Sequence, residues 1–347
     1  MRLSIAMATW NGARYLREQL DSFRAQTRLP DELVVCDDHS TDGTAAILEE
    51  FRRTAPFHVN LLVNPKQMGY VGNFEQAVEM CEGDVILLSD QDDVWLSEKL
   101  AEHEAVYRSR PEVGMAFSDG TIVDSDLAPL SLSLYQYVGA NPKRLGRCAA
   151  GRGLDLFIRK PMAYGCALSI RSDLRPLILP IPPYWIHDVW FQTAICVLAE
   201  VQPISKPLIL YRRHDAQATG VSAKATQPTW RSGIDSQSEP ANGPKPKSEA
   251  VQRLQRIDWQ LEEWEAASER LERLDSHIIR PWYRAVIDAK LGYLRRRRAM
   301  STSPLIRLPA IAGELLLGRY HQYAWSGKTD LLSDLKTLSM ARDTGAS

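Results

Sequence analysis

Between Leu3 and Leu88, short apolar runs alternate with segments whose apolar residues recur at helical spacing. This alternation restricts the fold more than any other property of the chain. Leu3–Thr9 is strand-like, and Ala13–Gln26 then sets Leu16, Leu20 and Phe23 on one helical face. Glu32–Cys36 is a second apolar run. The segment opened by Thr41-Asp42-Gly43-Thr44 puts Ile47, Leu48 and Phe51 on one face. Val59–Val63, Val71–Cys81 and Val85–Leu88 continue as strand, helix and strand. Strands alternating with helices predict an α/β domain, with a mostly parallel central sheet covered by helices on both faces.

The pattern continues beyond Trp95 with helical Glu98–Tyr107 and strand-like Val113–Ser118. Ala128–Pro161 is rich in Gly, Pro and Arg and reads as irregular, ligand-facing loops. Ala163–Ile170 is a returning strand, Asp188–Leu198 a helix and Pro207–Tyr211 a last strand. Ser, Pro, Gly, Gln and Lys dominate Ser222–Ser248, a linker composition. From Glu249 to Arg298 the pattern is helical and charged, with Leu254, Ile257, Leu261 and Trp264 at core spacing. At 347 residues the chain exceeds the usual size of one domain. The expected organisation is a catalytic domain over 1–220, a flexible linker over 221–248 and a helical extension over 249–347.

A formal net charge of −1 argues against holding nucleic acid by bulk electrostatics. Cys36, Cys81, Cys148, Cys166 and Cys196 are odd in number and contain no CxxC pair. They read as reduced, mostly buried thiols of a cytoplasmic protein. Met1-Arg2-Leu3-Ser4-Ile5 enters a strand directly, without signal-peptide architecture. No uninterrupted apolar stretch approaches the ~20 residues that a membrane span requires. The expectation is a cytoplasmic protein, with loose attachment to the inner membrane face still open.

The chemistry concentrates at strand ends. Val85–Leu88 carries Asp90, Asp92 and Asp93 to its C-terminal tip, where open α/β sheets bind ligands. Three crowded carboxylates repel one another, and a hard divalent cation such as Mg²⁺ or Mn²⁺ reverses that balance while bridging to phosphates. Thr9-Trp10-Asn11-Gly12 closes the first strand with residues suited both to a helix cap and to close backbone approach to a ligand. Asp37 and Asp38 end the second strand, where an acid can accept hydrogen bonds from a ribose or a base. Neither GxGxxG after the first strand nor GxxxxGK[ST] is present, which disfavours dinucleotide-binding dehydrogenases and P-loop enzymes. The chain reads as a metal-assisted enzyme acting on a nucleoside diphosphate compound.

Four ordered motifs carry a resemblance. They are Thr9-Trp10-Asn11-Gly12, Val34–Thr44 with its Asp37-Asp38 pair, Gly69-Tyr70-Val71-Gly72-Asn73-Phe74, and Gly83-Asp84 leading to Ser89-Asp90-Gln91-Asp92-Asp93-Val94-Trp95. Together they resemble the family 2 glycosyltransferases of the GT-A fold, closely over 1–119 and more loosely to 220. The Ser-Asp-Gln-Asp-Asp-Val-Trp string is similar to that of bacterial members termed rhamnosyltransferases.

The resemblance implies that Thr9, Asn11 and Asp38 line the base and ribose, supported by Asp37, and that Asn73 faces the nucleotide-sugar loop. It implies that Asp90 lies nearer the ribose, Asp92 on the metal, and Asp93 beside them. Pro183–Trp190 matches the motif where the family's general base lies, which makes Asp188 the base and His187 a lining residue. An inverting transfer needs a carboxylate to take the acceptor proton on the face opposite the departing diphosphate. Tyr211–Gly220 resembles the family's closing string, with His214 as a metal ligand and Arg212 on the phosphates. Gln217 stands where relatives often have Asn, and Gly165-Cys166-Ala167 where they often have Gly-Cys-Thr.

The tail holds Arg295–Arg298 and an apolar stretch, Leu305–Leu317, suited either to packing or to an anionic membrane with lipid-linked acceptors. The expected function is metal-dependent, inverting transfer of a sugar such as rhamnose from a dTDP- or UDP-sugar to a saccharide of a cell-surface polymer. The alternatives are a sugar-nucleotidyltransferase and a non-catalytic glycan-binding scaffold. The first would carry a Gly-rich basic loop after the first strand, and Thr9–Tyr15 lacks one.

Overall fold

The computed structural model describes residues 1–215, 217, 249–275, 277, 279–300, 304–324 and 327–336; the expected linker at 221–248 lies outside them. The chain begins β1 (Leu3–Thr9), α1 (Leu16–Arg24), β2 (Glu32–Asp37), α2 (Thr44–Thr54), β3 (His58–Val63), α3 (Tyr70–Met80) and β4 (Val85–Ser89). It continues with β5 (Val94–Trp95), α4 (Lys99–Ser109), β6 (Val113–Val123), β7 (Pro129–Ser133), α5 (Leu134–Val138) and α6 (Pro142–Arg147). Then come α7 (Leu154–Phe157), β8 (Leu168–Arg171), α8 (Arg175–Ile178), α9 (His187–Leu198) and β9 (Glu200–Arg212).

The strands form one sheet in the order β3-β2-β1-β4-β8-β6-β9-β5, with β7 added on β6. β1, β2, β3 and β4 pair in parallel, as alternating strands and helices dictate. The second half is mixed, because β8 lies antiparallel between β4 and β6 while β9 runs parallel to β6. β2 is buried along its whole length and β1 nearly so, since both sheet faces are covered. Leu16, Leu20 and Phe23 of α1 and Leu48 and Phe51 of α2 fill one side of that core. The Gly/Pro/Arg-rich stretch holds β7, α5 and α6 rather than open loop, and Ser133 forms a reciprocal cap with Gln136 at the start of α5. All five cysteines are buried and none forms a disulfide.

The described residues divide into two compact units. One holds Met1–Gly153, Pro161–Ile181 and the chain from Ile186 through β9. The other holds Leu154–Lys160, Pro182–Trp185 and the C-terminal helices, which are Glu249–Glu272, Tyr283–Arg298, Pro304–Leu316, Arg319–Gln322 and Gly327–Lys336. In that unit Arg253 and Arg297 converge on the buried Asp334 carboxylate at 2.5 and 2.8 Å. Trp264, Leu271, Ile287, Leu291 and Leu294 are buried apolar residues of its two long helices.

Candidate active site

The ends of the parallel strands carry the sequence-predicted residues to one edge of the sheet. Asn11 and His39 take positive φ, 47° and 61°, so the chain turns sharply just past β1 and β2. Beneath these turns lies a buried polar cluster. Thr9 donates its hydroxyl to Asp37 at 2.7 Å, and Asp37 also accepts the amide and hydroxyl of Ser40. Asp38 accepts the backbone amides of Met68 and Gly69 at 2.7 and 2.8 Å. Asn73 donates to the Cys36 carbonyl at 2.7 Å and accepts from Asn64 at 3.0 Å.

These contacts bear on two of the predicted residues. Asn73 is buried and its amide is spent joining the ends of β2 and β3, so it does not face a sugar loop. Asp38 places its two carboxylate oxygens on the amides of the turn before α3. Asn11 stays on the exposed side of the loop, where its side-chain Oδ1 accepts the Thr41 amide at 2.8 Å. Beside it, Trp10 is 45% exposed.

Gln91, the middle residue of the acidic string, was not singled out by its sequence. It accepts from the Trp10 amide at 2.8 Å and donates to the Trp10 carbonyl at 3.0 Å, tying the β1 loop to the β4 tip. A Cβ at Gly12 would lie 2.3 Å from its Oε1, which explains the glycine there.

Past β4 the acids split into two groups. The Asp92 carboxylate meets His214 Nε2 at 2.8 Å. Asp90 and Asp93 lie with the Cys166 thiol in a second group, their nearest ligand atoms all within 4.8 Å of one another. Asp93 accepts the Arg212 amide at 3.0 Å, and its other oxygen is buried without a hydrogen-bond partner. Burial, reinforced by neighbouring acids, raises the Asp90 carboxyl well above its usual range and pushes Asp93 up to about 7. Lys99, another residue the sequence left unmarked, is a buried counter-charge. Its ammonium stands 3.8 Å over the Trp95 ring and donates to the Cys166 carbonyl, and burial lowers it to about 8.

Arg212 does not match its expected role. It is fully buried and its donors are used on the Asp92 carbonyl at 2.8 Å, the Ser125 carbonyl at 2.6 Å and Glu18 at 2.5 Å. Through these bonds it braces the acidic string.

A further buried acid stands at the start of α9. Asp188 accepts the Gly165 amide at 3.0 Å and the Val189 amide at 2.8 Å. Burial pushes its carboxyl up to about 6, and its charge contributes to the raised pKa of Asp90. His187 stacks on Phe74 with ring centroids 4.0 Å apart, both its ring nitrogens lacking partners. Burial lowers it to about 3, so the ring is neutral. Gly165 leaves room for this pair: a Cβ there would lie 3.1 Å from His187 Nε2 and 3.4 Å from Asp188 Cβ.

The donor set fits a hard divalent cation. An orphaned Asp93 oxygen, an orphaned His214 Nδ1 and mutually repelling carboxylates are features that a Mg²⁺ or Mn²⁺ ion would relieve. Cys166 does not belong to that set, because burial and the acids push its thiol far above neutrality and keep it protonated.

A family model described as Glycosyl transferase family 2 matches residues 4–132. An uncharacterized protein of Mycobacterium tuberculosis is 26% identical over 220 residues, covering 61% of this chain and 59% of that protein. A dTDP-rhamnosyl transferase of Shigella flexneri is 38% identical over 98 residues, 27% of this chain and 34% of that protein. The chain spans about three-fifths of the length of its mycobacterial relatives. Among solved structures, residues 1–349 of S. aureus TarS with UDP-GlcNAc match with a TM-score of 0.52 at 14% identity, over 99% of this chain and 92% of that one. A Pyrobaculum calidifontis mannosyltransferase with GDP-Man and Mn²⁺ matches with a TM-score of 0.50 at 16% identity, over 98% and 88%. Residues 4–132 thus match glycosyltransferase family 2, and the chain shares the GT-A fold of these two structures.

Proposed function

We propose that this chain transfers a sugar, with inversion, from a nucleoside diphosphate donor to a hydroxyl of a saccharide acceptor, free or lipid-linked, in the synthesis of a cell-surface polymer. The observation that carries the reading is the division of labour among its acids. Asp188 is fixed by two backbone amides and its carboxyl is pushed up to about 6, while Asp92 pairs with His214 and Asp90 and Asp93 crowd beside Cys166. Only a carboxylate set apart from the cation-binding acids can remain basic enough to take a proton.

Asn11 and the exposed Trp10 seat the nucleoside on the floor built by Thr9, Asp37 and Asp38. Asp92 and His214 hold the Mg²⁺ or Mn²⁺ ion, with Asp90 and Asp93 beside them. When bound, that ion supplies positive charge opposite the departing diphosphate. Asp188 accepts the acceptor's hydroxyl proton as the freed oxygen bonds to the anomeric carbon and the bond to the diphosphate breaks on the far face. Catalysis is assigned to residues 1–220, leaving 249–347 for a different role.

The dTDP-rhamnosyl name of the Shigella relative and the Mn²⁺ in the Pyrobaculum structure make dTDP-rhamnose with Mn²⁺ the first donor to try. The test is calorimetry with UDP, dTDP and GDP, each with and without Mn²⁺, followed by a nucleotide-sugar panel assayed for released diphosphate. Metal-dependent binding of one nucleotide and turnover of its sugar is the expected result. Absence of metal-dependent binding to all three ends the reading.

A further inference from the structure

The helix Pro304–Leu316 is built inside out. Its two charged residues, Arg307 and Glu314, are 2% and 5% exposed, and with Ile311 they form the narrow stripe that packs inward. Glu314 accepts Arg296 at 2.7 Å and Arg319 at 2.9 Å. The outward side carries Ile306, Leu308, Leu315 and Leu316, continued by Leu317 past the helix end. Ile306 is 64% and Leu316 88% exposed. Pro309, Ala310 and Ala312 complete that side, so no charged side chain stands on it. A helix facing water shows the reverse pattern, and a contiguous apolar patch of this kind marks a surface that meets a partner.

Size and charge identify that partner. A helix of 13 residues is about 20 Å long and about 10 Å wide, so its outer side offers on the order of 200 Å². A stable protein pair buries about 800 Å² on each side, four times as much. A lipid surface has no such minimum, because an apolar helix side sinks about 5–10 Å into the headgroup boundary by itself. No described helix is long and apolar enough to cross a membrane. Two partly exposed cations, Arg296 and Arg319 at 45% and 31%, close on Glu314 from the neighbouring helices, two positive charges to one negative. Arginines beside an apolar helix side complement anionic headgroups.

We propose that the outward side of Pro304–Leu316, extended by Leu317, lies in the interface of an anionic bilayer, with Arg296 and Arg319 at headgroup depth. This docking surface belongs to the C-terminal helices alone and does not depend on the transfer reading. The test is co-sedimentation of the full chain with phosphatidylcholine vesicles, with and without phosphatidylglycerol. The chain should bind the anionic vesicles and be released as salt rises. Leu316→Glu with Leu317→Glu should lower the bound fraction about tenfold or more without changing the melting temperature, since both side chains are exposed. Leu316→Cys labelled with a polarity-sensitive dye should shift to the blue on the same vesicles and supplies a readout free of the double variant. Binding that the double variant leaves unchanged, or a dye that does not shift, overturns the proposal. So does concentration-dependent self-association of the parent that the double variant abolishes, which would assign the face to a second copy.

Discussion

The Asp92 carboxylate and the His214 ring meet at 2.8 Å although 122 positions separate them in the chain. The cause is the antiparallel pairing of β5 with the far end of β9, Val94 opposite Leu210, which lays the two strand ends side by side. Because the two side chains act as one unit, their losses should not add. Asp92→Asn and His214→Ala should each weaken Mn²⁺-dependent nucleotide binding by about 10–100-fold, and the double variant little further. Titration calorimetry on the three proteins reads this directly. Fully multiplicative losses would mean that the two groups serve different ends.

The proton transfer proposed for Asp188 has a pH dependence that follows from its burial. A general base works only when ionised, and this carboxyl is raised to about 6. The rate at limiting substrate should therefore fall to half near pH 6 and then about tenfold per unit toward acid. Asp188→Asn should lower turnover by about 10²–10⁴ and abolish that acid limb, with donor affinity retained. A mutant that keeps near-parental turnover, or keeps the limb, assigns the base elsewhere.

The parallel half of the sheet was legible because β1 to β4 and the helices between them obey simple periodicities. Leu16, Leu20 and Phe23 face the core as their spacing requires. The mixed half was not, because β8 is a four-residue strand whose partners β4 and β6 are distant in sequence. In the site, sequence could place acids at strand ends but could not say which were already bonded. Asn73 and Arg212 have the polar groups of ligand contacts and spend them on backbone carbonyls and Glu18. Gln91 and Lys99 lay within or beside the acidic string, yet only the fold brings them onto Trp10 and Cys166. The one available signal for Lys99 was a lone cation four positions after Trp95, at the start of a helix.

The buried acids make the metal-free protein less stable than it could be. Asp93 titrates at about 7 when folded and near ~3.9 when unfolded. A raised folded value means that its contribution favours folding below pH ~4 and is lost as pH rises through about 7. Asp93→Asn can still accept the Arg212 amide, so it should stabilise the metal-free chain by about 1–3 kcal/mol at pH 8 and hardly at pH 4. Added Mn²⁺ should raise the melting temperature of the parent more than that of the variant. Thermal unfolding at both pH values, with and without the ion, gives the comparison. A variant less stable than the parent at pH 8 would show that the carboxylate is already compensated.

Asn73 separates a structural role from a ligand role. Its amide bonds the Cys36 carbonyl and the Asn64 side chain inside a buried cluster. Asn73→Ala removes the donor to the Cys36 carbonyl and the acceptor of one Asn64 amide hydrogen, while Asn64 keeps its bond to Asp38, at a cost of about 1–3 kcal/mol. The melting temperature should therefore drop by a few degrees, on the order of 1–2 °C for each kcal/mol in a chain of 347 residues. Below that temperature the variant should bind donor nucleotide within about threefold of the parent, because no atom of Asn73 reaches the open side of the loop. Asn11→Ala should do the opposite: it sits on the exposed turn with its side-chain Oδ1 on Thr41, so nucleotide affinity should fall while the fold holds. If the two phenotypes came out exchanged, with Asn73 governing affinity and Asn11 governing stability, the assignment of floor and face in this site would be reversed.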